Sequence, residues 1–115
     1  MRRLSRLLPL ATLAICPLAA ASATDYNAFL KQIAADCKPL IIGRDNMGQA
    51  ILHAGMGVDV NNYHTFLSYT SRLYRGTLSE PEYRRSLAAF LGAGSHNGQS
   101  FDCIAVHLPS HPGGR

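Results

Sequence analysis

The chain has 115 residues, of which 47% are hydrophobic and 16% charged, a composition typical of one small globular domain. Its formal net charge of +4 at pH 7 arises largely in residues 1–23, which hold three of the eleven Lys and Arg and none of the seven Asp and Glu. The remaining segment has eight basic and seven acidic residues, so it lacks the cluster of cations that binding to nucleic acid requires.

Residues 1–23 have the pattern of a cleavable signal peptide. Three arginines form its basic start, residues 7–18 form its apolar run, and residues 21–23 (Ala-Ser-Ala) offer a small-x-small cleavage site. The apolar run is too short to span a bilayer, and no later stretch approaches the ~20 residues that a transmembrane helix needs. We therefore expect export to the periplasm and a mature domain, residues 24–115, that is not held in a membrane.

The three cysteines have different expected fates. Cys16 would leave with the signal peptide; in the alternative, a lipoprotein signal, it would be acylated, but Ile15 precedes it where a small residue is usual. The remaining pair, Cys37 and Cys103, is an even number in a small exported domain, which predicts one disulfide. The alternative is two free thiols in a metal or redox role, although neither cysteine belongs to a Cys-x-x-Cys motif or pairs with a nearby His.

Helical periodicity begins at Tyr26. Apolar residues recur at three- and four-residue intervals from Tyr26 to Cys37, which predicts a helix with Cys37 on its buried face and with Thr24 or Asp25 as its cap. Pro39 predicts the end of this helix near Cys37 or the residue after it. The next three residues are apolar but too few to assign to an element.

Two further helices are predicted in the middle of the chain. A short one, capped by Asp45, would end at the glycines that begin with Gly55. A longer one, capped by Asp59 or Asn61, would end at Gly76. Its expected apolar face consists of Tyr63, Phe66, Leu67, Thr70, Leu73 and Tyr74.

The last two helices flank a glycine-rich segment. Ser79 and Glu82 have the spacing of a capping box, which predicts a fourth helix. Its expected core stripe is Leu87, Phe90 and Leu91. Residues 92–98 read as a loop, and a final helix is expected from about residue 99 to 108. No stretch alternates like a strand, so we predict an all-α bundle of four to five helices tied by a Cys37–Cys103 disulfide.

Motifs for catalysis or metal binding are incomplete. His107 and His111 have a spacing suited to zinc on a helix, but Pro109 lies between them. The residues around Ser95 lack both glycines of a G-x-S-x-G motif, and the glycines that begin at Gly92 miss the G-x-G-x-x-G spacing by one residue. We therefore expect no catalytic residue, cofactor or metal, and a protein that acts by binding.

Several features follow one another along residues 26–110. An aromatic-rich first helix ends in Cys37, a long third helix and a fourth helix follow, and a glycine-rich loop leads to Phe101-x-Cys103 and then His107. This order resembles the immunity proteins of type VI secretion amidases, the Rap/Tai family. The resemblance implies an exported, disulfide-linked helical bundle, often a homodimer. It also implies a partner, a peptidoglycan amidase effector of the NlpC/P60 cysteine type, whose active-site cleft the protein would block.

The resemblance also assigns a binding element. In the similar proteins a loop between the last helices enters the amidase cleft, and the matching stretch of this chain is residues 92–99. The expected partner-binding residues are Gly94, Ser95, His96, Asn97 and Gly98. The alternative is that this stretch only connects two helices.

Two other functional classes share some of these features. A periplasmic acid-stress chaperone of the HdeA kind is also a small helical protein with one disulfide, but it is expected to carry many acidic groups whose protonation opens a dimer. The mature domain has only seven acidic residues against eight basic ones, which matches such a chaperone poorly. The third class is an enzyme. The incomplete catalytic motifs described above argue against it.

Overall fold

A computed structural model of the chain describes residues 23–109, and within them the chain forms five helices and one small hairpin. The helices are α1 (Ala23–Asp36), α2 (Met47–Leu52), α3 (Val60–Arg75), α4 (Glu80–Leu91) and α5 (Asn97–Val106). The strands β1 (Ile41–Ile42) and β2 (Asp45–Asn46) pair antiparallel. The predicted all-α class is confirmed. The predicted signal peptide lies outside the described residues except for Ala23, where α1 begins.

The predicted ends of α3 and the start of α4 are confirmed. Asp59 caps α3, since its Oδ1 accepts hydrogen bonds from the backbone N–H of Asn61 at 2.8 Å and of Asn62 at 3.1 Å. Gly76 ends α3 with a φ of 81°, a conformation that glycine adopts without a steric penalty. Ser79 caps α4 through a 3.3 Å bond from the backbone N–H of residue 82. No helix among the described residues is long and apolar enough to cross a membrane.

Other boundaries differ from the prediction. The cap of α2 is Asn46, which accepts from the N–H of Gln49, whereas Asp45 lies in β2 and accepts a 2.9 Å bond from the Asn62 side chain. Helix α1 begins at Ala23, before both of its predicted caps. Of the three apolar residues that could not be assigned to an element, Ile41 and Ile42 form β1, which pairs with β2 only a few residues later and is bonded to Ser100 on α5.

Phe90 was expected in the core, and this expectation is wrong. Its side chain is 62% exposed, while Tyr83, Leu87 and Leu91 form the buried face of α4. Successive helical residues are rotated by about 100°, so a helix that buries Leu91 turns Phe90 toward its edge. The Phe90 ring packs instead against Tyr69 on α3, with 5.8 Å between the ring centroids.

One core joins all five helices and the hairpin. β1 lies in its middle, packed against α2, α4 and α5. The side chains with no exposed surface are Ile33, Ile42, Met47, Ala50, Phe66, Thr70, Leu87 and Ile104. Each large apolar side chain among them contributes about 1.5–3 kcal/mol when it is removed from water, so burial of these side chains provides the main driving force for folding.

A polar pair is embedded in this core. The hydroxyl oxygens of Thr70 on α3 and Tyr83 on α4 lie 2.8 Å apart, and both side chains are buried. Burial raises the pKa of the Tyr83 phenol well above its ordinary value, because the phenolate would lose its hydration. The pair therefore stays neutral and fixes the register between α3 and α4.

The disulfide joins the end of the first helix to the last helix. Cys37 directly follows α1, and Cys103 lies on α5, 66 residues later in the sequence. The predicted pairing is therefore confirmed. A cross-link over a loop of this length contributes on the order of 4 kcal/mol by restricting the unfolded chain.

We expect Cys37→Ser to lower the melting temperature by roughly 15 °C or more, because a loss of about 4 kcal/mol exceeds the ~1 kcal/mol that shifts a domain of this size by 4–8 °C. Thiol titration of the denatured, oxidised wild type should find neither Cys37 nor Cys103 reactive. The Cys37→Ala/Cys103→Ala variant is the control without an unpaired thiol. A melting temperature equal to that of the wild type in both variants would contradict the stabilising role of the disulfide.

Substitutions at Thr70 and Tyr83 should have coupled effects on the free energy of unfolding, because the two hydroxyl groups are each other's hydrogen-bond partner. Tyr83→Phe and Thr70→Val should each cost about 1–3 kcal/mol, since each leaves one buried hydroxyl without its partner. The double variant should cost clearly less than the sum of the two, because no unpaired hydroxyl remains. Urea melts of all four proteins measure the coupling, and Tyr69→Phe is a control at a partly exposed tyrosine. Additive losses would show that the hydroxyls do not stabilise one another.

Candidate functional site

The segment between α4 and α5 is shorter than predicted. Helix α5 begins at Asn97, two residues before the expected start near residue 99, so Asn97 and Gly98 belong to its first turn. The connecting loop is residues 92–96. Within it Ser95 and His96 are exposed, while Gly94 is half-buried.

The side chain of Asn97 holds the base of this loop. Its Oδ1 accepts a 2.8 Å hydrogen bond from the N–H of Gly43 in the hairpin turn, and its Nδ2 donates a 3.0 Å bond to the carbonyl of Gly92. Asn97 is buried, with 9% of its surface exposed, and these bonds satisfy both ends of its amide. The side chain thus links the hairpin, the start of the loop and α5. It is not available at the loop tip, where the sequence had placed it.

Two glycines allow the loop and the hairpin turn to touch. A Cβ on Gly94 would lie 2.6 Å from the carbonyl oxygen of Gly43, closer than real Cβ contacts occur. Gly43 itself has a φ of 64°, and a Cβ there would collide with the carbonyl oxygen of Leu91. Only residues without a side chain fit this contact, so the backbone of the loop is packed directly on the hairpin.

Ser100 makes a second attachment one turn further along α5. Its Oγ accepts a 3.0 Å bond from the N–H of Ile41 and donates a 2.7 Å bond to the carbonyl of the same residue. Asn97 and Ser100 are three residues apart and therefore on one face of the helix. Together they satisfy backbone groups of the hairpin that no strand pairs. The sequence signal for this role was the placement of two polar residues at i and i+3 on the apolar side of α5.

The tip of the loop is polar and open to solvent. The Oγ of Ser95 lies 3.5 Å from Nδ1 of His96, and both side chains are exposed. A serine is activated as a nucleophile when a base and an orienting group hold it in a desolvated site, and two adjacent exposed side chains do not provide that environment. The tip is therefore suited to hydrogen bonding with a partner.

An aromatic surface lies beside the start of the loop in the sequence. Phe90, two residues before residue 92, is exposed and packs against Tyr69 with the two rings tilted, while the guanidinium of Arg72 lies 5.4 Å from the Tyr69 ring centroid. Aromatic and arginine side chains dominate the energetics of many protein interfaces. Phe90 thus becomes a candidate contact residue that the sequence reading had assigned to the core.

A second cluster surrounds the disulfide. Nδ1 of His107 lies 3.9 Å from the sulfur atoms of both Cys37 and Cys103, and its Nε2 lies 3.1 Å from Oδ2 of Asp36. Cys37, Cys103 and His107 are the one group of three potential metal ligands found among residues 23–109. His111, the other half of the zinc spacing in the sequence, lies outside the described residues.

No protein-family model, curated protein or solved structure matches this chain. Function is therefore inferred from the residues themselves: a loop with an exposed polar tip, a rigid base and an aromatic neighbour.

Because Asn97 is bonded to the hairpin and His96 is not, truncation of these two neighbouring side chains should affect stability differently. Asn97→Ala removes two buried hydrogen bonds and leaves the N–H of Gly43 unpaired, so it should lower the free energy of unfolding by about 1–3 kcal/mol. His96→Ala is the matched control, because its side chain is exposed and its truncation should change stability by less than about 0.5 kcal/mol. Denaturant unfolding measures both. Equal stability of the two variants would show that Asn97 does not hold the loop.

Proposed function

We propose that the protein is exported to the periplasm and acts there as an immunity protein, binding and inhibiting a peptidoglycan amidase effector of a type VI secretion system. The observation that carries the proposal is the loop of residues 92–96, which combines an exposed polar tip with a base fixed by Asn97. The disulfide also supports it, because such bonds persist in oxidising compartments such as the periplasm.

Rigidity of the loop favours tight binding. A flexible loop loses conformational entropy when a partner orders it, and a loop that is already ordered avoids most of that loss. The bonds of Asn97 and the packing of Gly94 on Gly43 hold the loop backbone before any partner arrives. The binding energy of the tip residues is therefore available for affinity.

The chemistry of the tip suits the proposed target. Amidases of the NlpC/P60 type use a Cys and a His in a cleft, and small polar side chains can hydrogen-bond to such groups. In this proposal Ser95 and His96 meet the catalytic pair at the mouth of the cleft, and Phe90 contacts the rim as an aromatic anchor. The short loop limits the depth of insertion, so occlusion of the mouth is the proposed mode of inhibition.

The functional test is protection of cells. The protein and a peptidoglycan amidase effector of the NlpC/P60 type are co-expressed with export to the periplasm, and lysis is followed. Ser95→Gly/His96→Ala should weaken binding to the amidase at least thirtyfold, which corresponds to about 2 kcal/mol, and should abolish protection without lowering the melting temperature.

His64→Ala is the matched control for this test, since His64 is an exposed histidine on α3, away from the loop in the sequence. It should protect as well as the wild type. Unchanged protection by the loop variant would eliminate the loop as the inhibitory element. Lysis despite wild-type protein, together with loss of survival near pH 2–3 on deletion of the gene, would replace the proposal with an acid-stress chaperone.

A further inference from the structure

We propose that the chain has a second, metal-binding state. When the disulfide is reduced, Cys37, Cys103 and His107 bind one zinc ion, and Asp36 orients the histidine through its other ring nitrogen. This proposal does not depend on the function of the loop. It uses the cluster around the disulfide, to which the proposed inhibitory role assigns nothing beyond stability.

The distances between the donor atoms fit a tetrahedral site. Nδ1 of His107 is 3.9 Å from each sulfur, and the three donor atoms all lie within 4.8 Å of one another. Zinc bonds of about 2.3 Å to sulfur and 2.0–2.1 Å to nitrogen place such atoms roughly 3.5–3.8 Å apart in a tetrahedron. The separation between Nδ1 and each sulfur therefore needs to shorten by only a few tenths of an ångström. The two sulfurs separate once their bond is broken.

Asp36 supplies the outer interaction that zinc-bound histidines usually have. Its Oδ2 lies 3.1 Å from Nε2 of His107, on the side of the ring away from the sulfurs. A histidine that binds zinc through one nitrogen commonly donates its other N–H to a carboxylate, which fixes the tautomer and the ring orientation. This geometry separates the cluster from a chance contact between a histidine and a disulfide.

The backbone already holds the ligands in place. Cys103 and His107 are four residues apart at the end of α5, so their side chains lie on one face. Asp36 and Cys37 are consecutive at the end of α1. Because the core packs both helices, reduction leaves the ligands close together as long as the fold persists.

One interaction of His107 that is present in the oxidised protein has to break when the reduced protein binds zinc. Nδ1 of His107 lies 2.9 Å from the carbonyl oxygen of Cys103, to which its N–H donates when that nitrogen is protonated. Zinc binding removes this proton and turns the ring from the carbonyl toward the sulfurs. The carbonyl can then bond to water, since both Cys103 and His107 are partly exposed.

The conversion from the disulfide to the zinc-bound form takes place in two steps, reduction and metal binding. A dithiol reductant transfers two electrons and two protons to the disulfide, giving the thiols of Cys37 and Cys103 and the oxidised, cyclic disulfide of the reductant. Zinc then displaces the two thiol protons and is itself neither oxidised nor reduced. The two thiolates cancel the charge of the ion.

An open groove gives an ion and water access to His107. His107 lines an open groove of about 740 Å³, which also contains Gln32, Asp25 and Arg75. Water from this groove can complete the tetrahedron. Arg75 opposes a cation in the groove, while Asp25 and the nearby Asp36 favour one.

The test uses the mature protein, reduced under anaerobic conditions and titrated with Co²⁺ as a spectroscopic probe for zinc. We expect one equivalent to produce the intense thiolate charge-transfer and tetrahedral d–d bands, and Zn²⁺ to displace it. The oxidised protein should produce neither band. Circular dichroism is recorded in parallel. If reduction unfolds the chain, one equivalent of Zn²⁺ should restore its helical signal.

Variants show whether His107 and Asp36 contribute to zinc binding or whether the two cysteines bind zinc alone. Asp36→Asn should weaken zinc binding 10- to 100-fold, the effect typical of removing an outer carboxylate, and His107→Ala should weaken it further. His64→Ala, an exposed histidine outside the cluster, should bind like the wild type. The proposal is overturned if the reduced wild type binds no Co²⁺, folded or unfolded. It is equally overturned if His107→Ala binds zinc as tightly as the wild type.

Discussion

The covalent bond between Cys37 and Cys103 fixes the last helix against the end of the first, and the position of α5 depends on it. Helix α5 has only ten residues, and an isolated helix of that length is unstable in water. The disulfide holds its C-terminal half, while Asn97 and Ser100 hold its N-terminal half on the hairpin. Because α5 is attached at both ends, the end of the loop that precedes it is fixed, and the bond from Asn97 to the carbonyl of Gly92 fixes the start of that loop.

This arrangement divides the loop region into residues that support and residues that can bind. Asn97 and Gly94 face the hairpin and are used internally, whereas Ser95 and His96 are exposed and make no long-range hydrogen bond among the described residues. Changes at the tip can therefore alter recognition with little effect on folding. Such a division suits a protein whose tip must match one partner while its base stays constant.

The sequence predicted the features that depend on local interactions. A short polar side chain before a helical stripe predicted Ser79 as the cap of α4 and either Asp59 or Asn61 as the cap of α3, and Gly76 was predicted as the end of α3 because the left-handed conformation favours glycine. The cysteine pair followed from an even count in a small domain. Each of these inferences needed only neighbouring residues or a count, and the structure confirms them.

The features that the sequence missed depend on contacts between distant residues. Asn97 read as a loop residue because its partner Gly43 is 54 positions away, and that bond draws it into α5. Phe90 fitted the apolar spacing of α4, but the direction in which α4 packs decides which side chain at the edge of the stripe is buried. The approach of His107 to the disulfide spans 70 positions from Cys37. Residue spacing along the chain carries no signal for such encounters.

Amide hydrogen exchange at Gly43 shows whether the loop is held rigidly before any partner binds. The N–H of Gly43 has the Asn97 side chain as its acceptor, so it exchanges only when this attachment opens. We expect that in the oxidised protein this N–H exchanges with the free energy of global unfolding, like the amides of the core helices. Rapid exchange of Gly43 while those amides stay protected would show that the base of the loop opens locally and is not held rigidly.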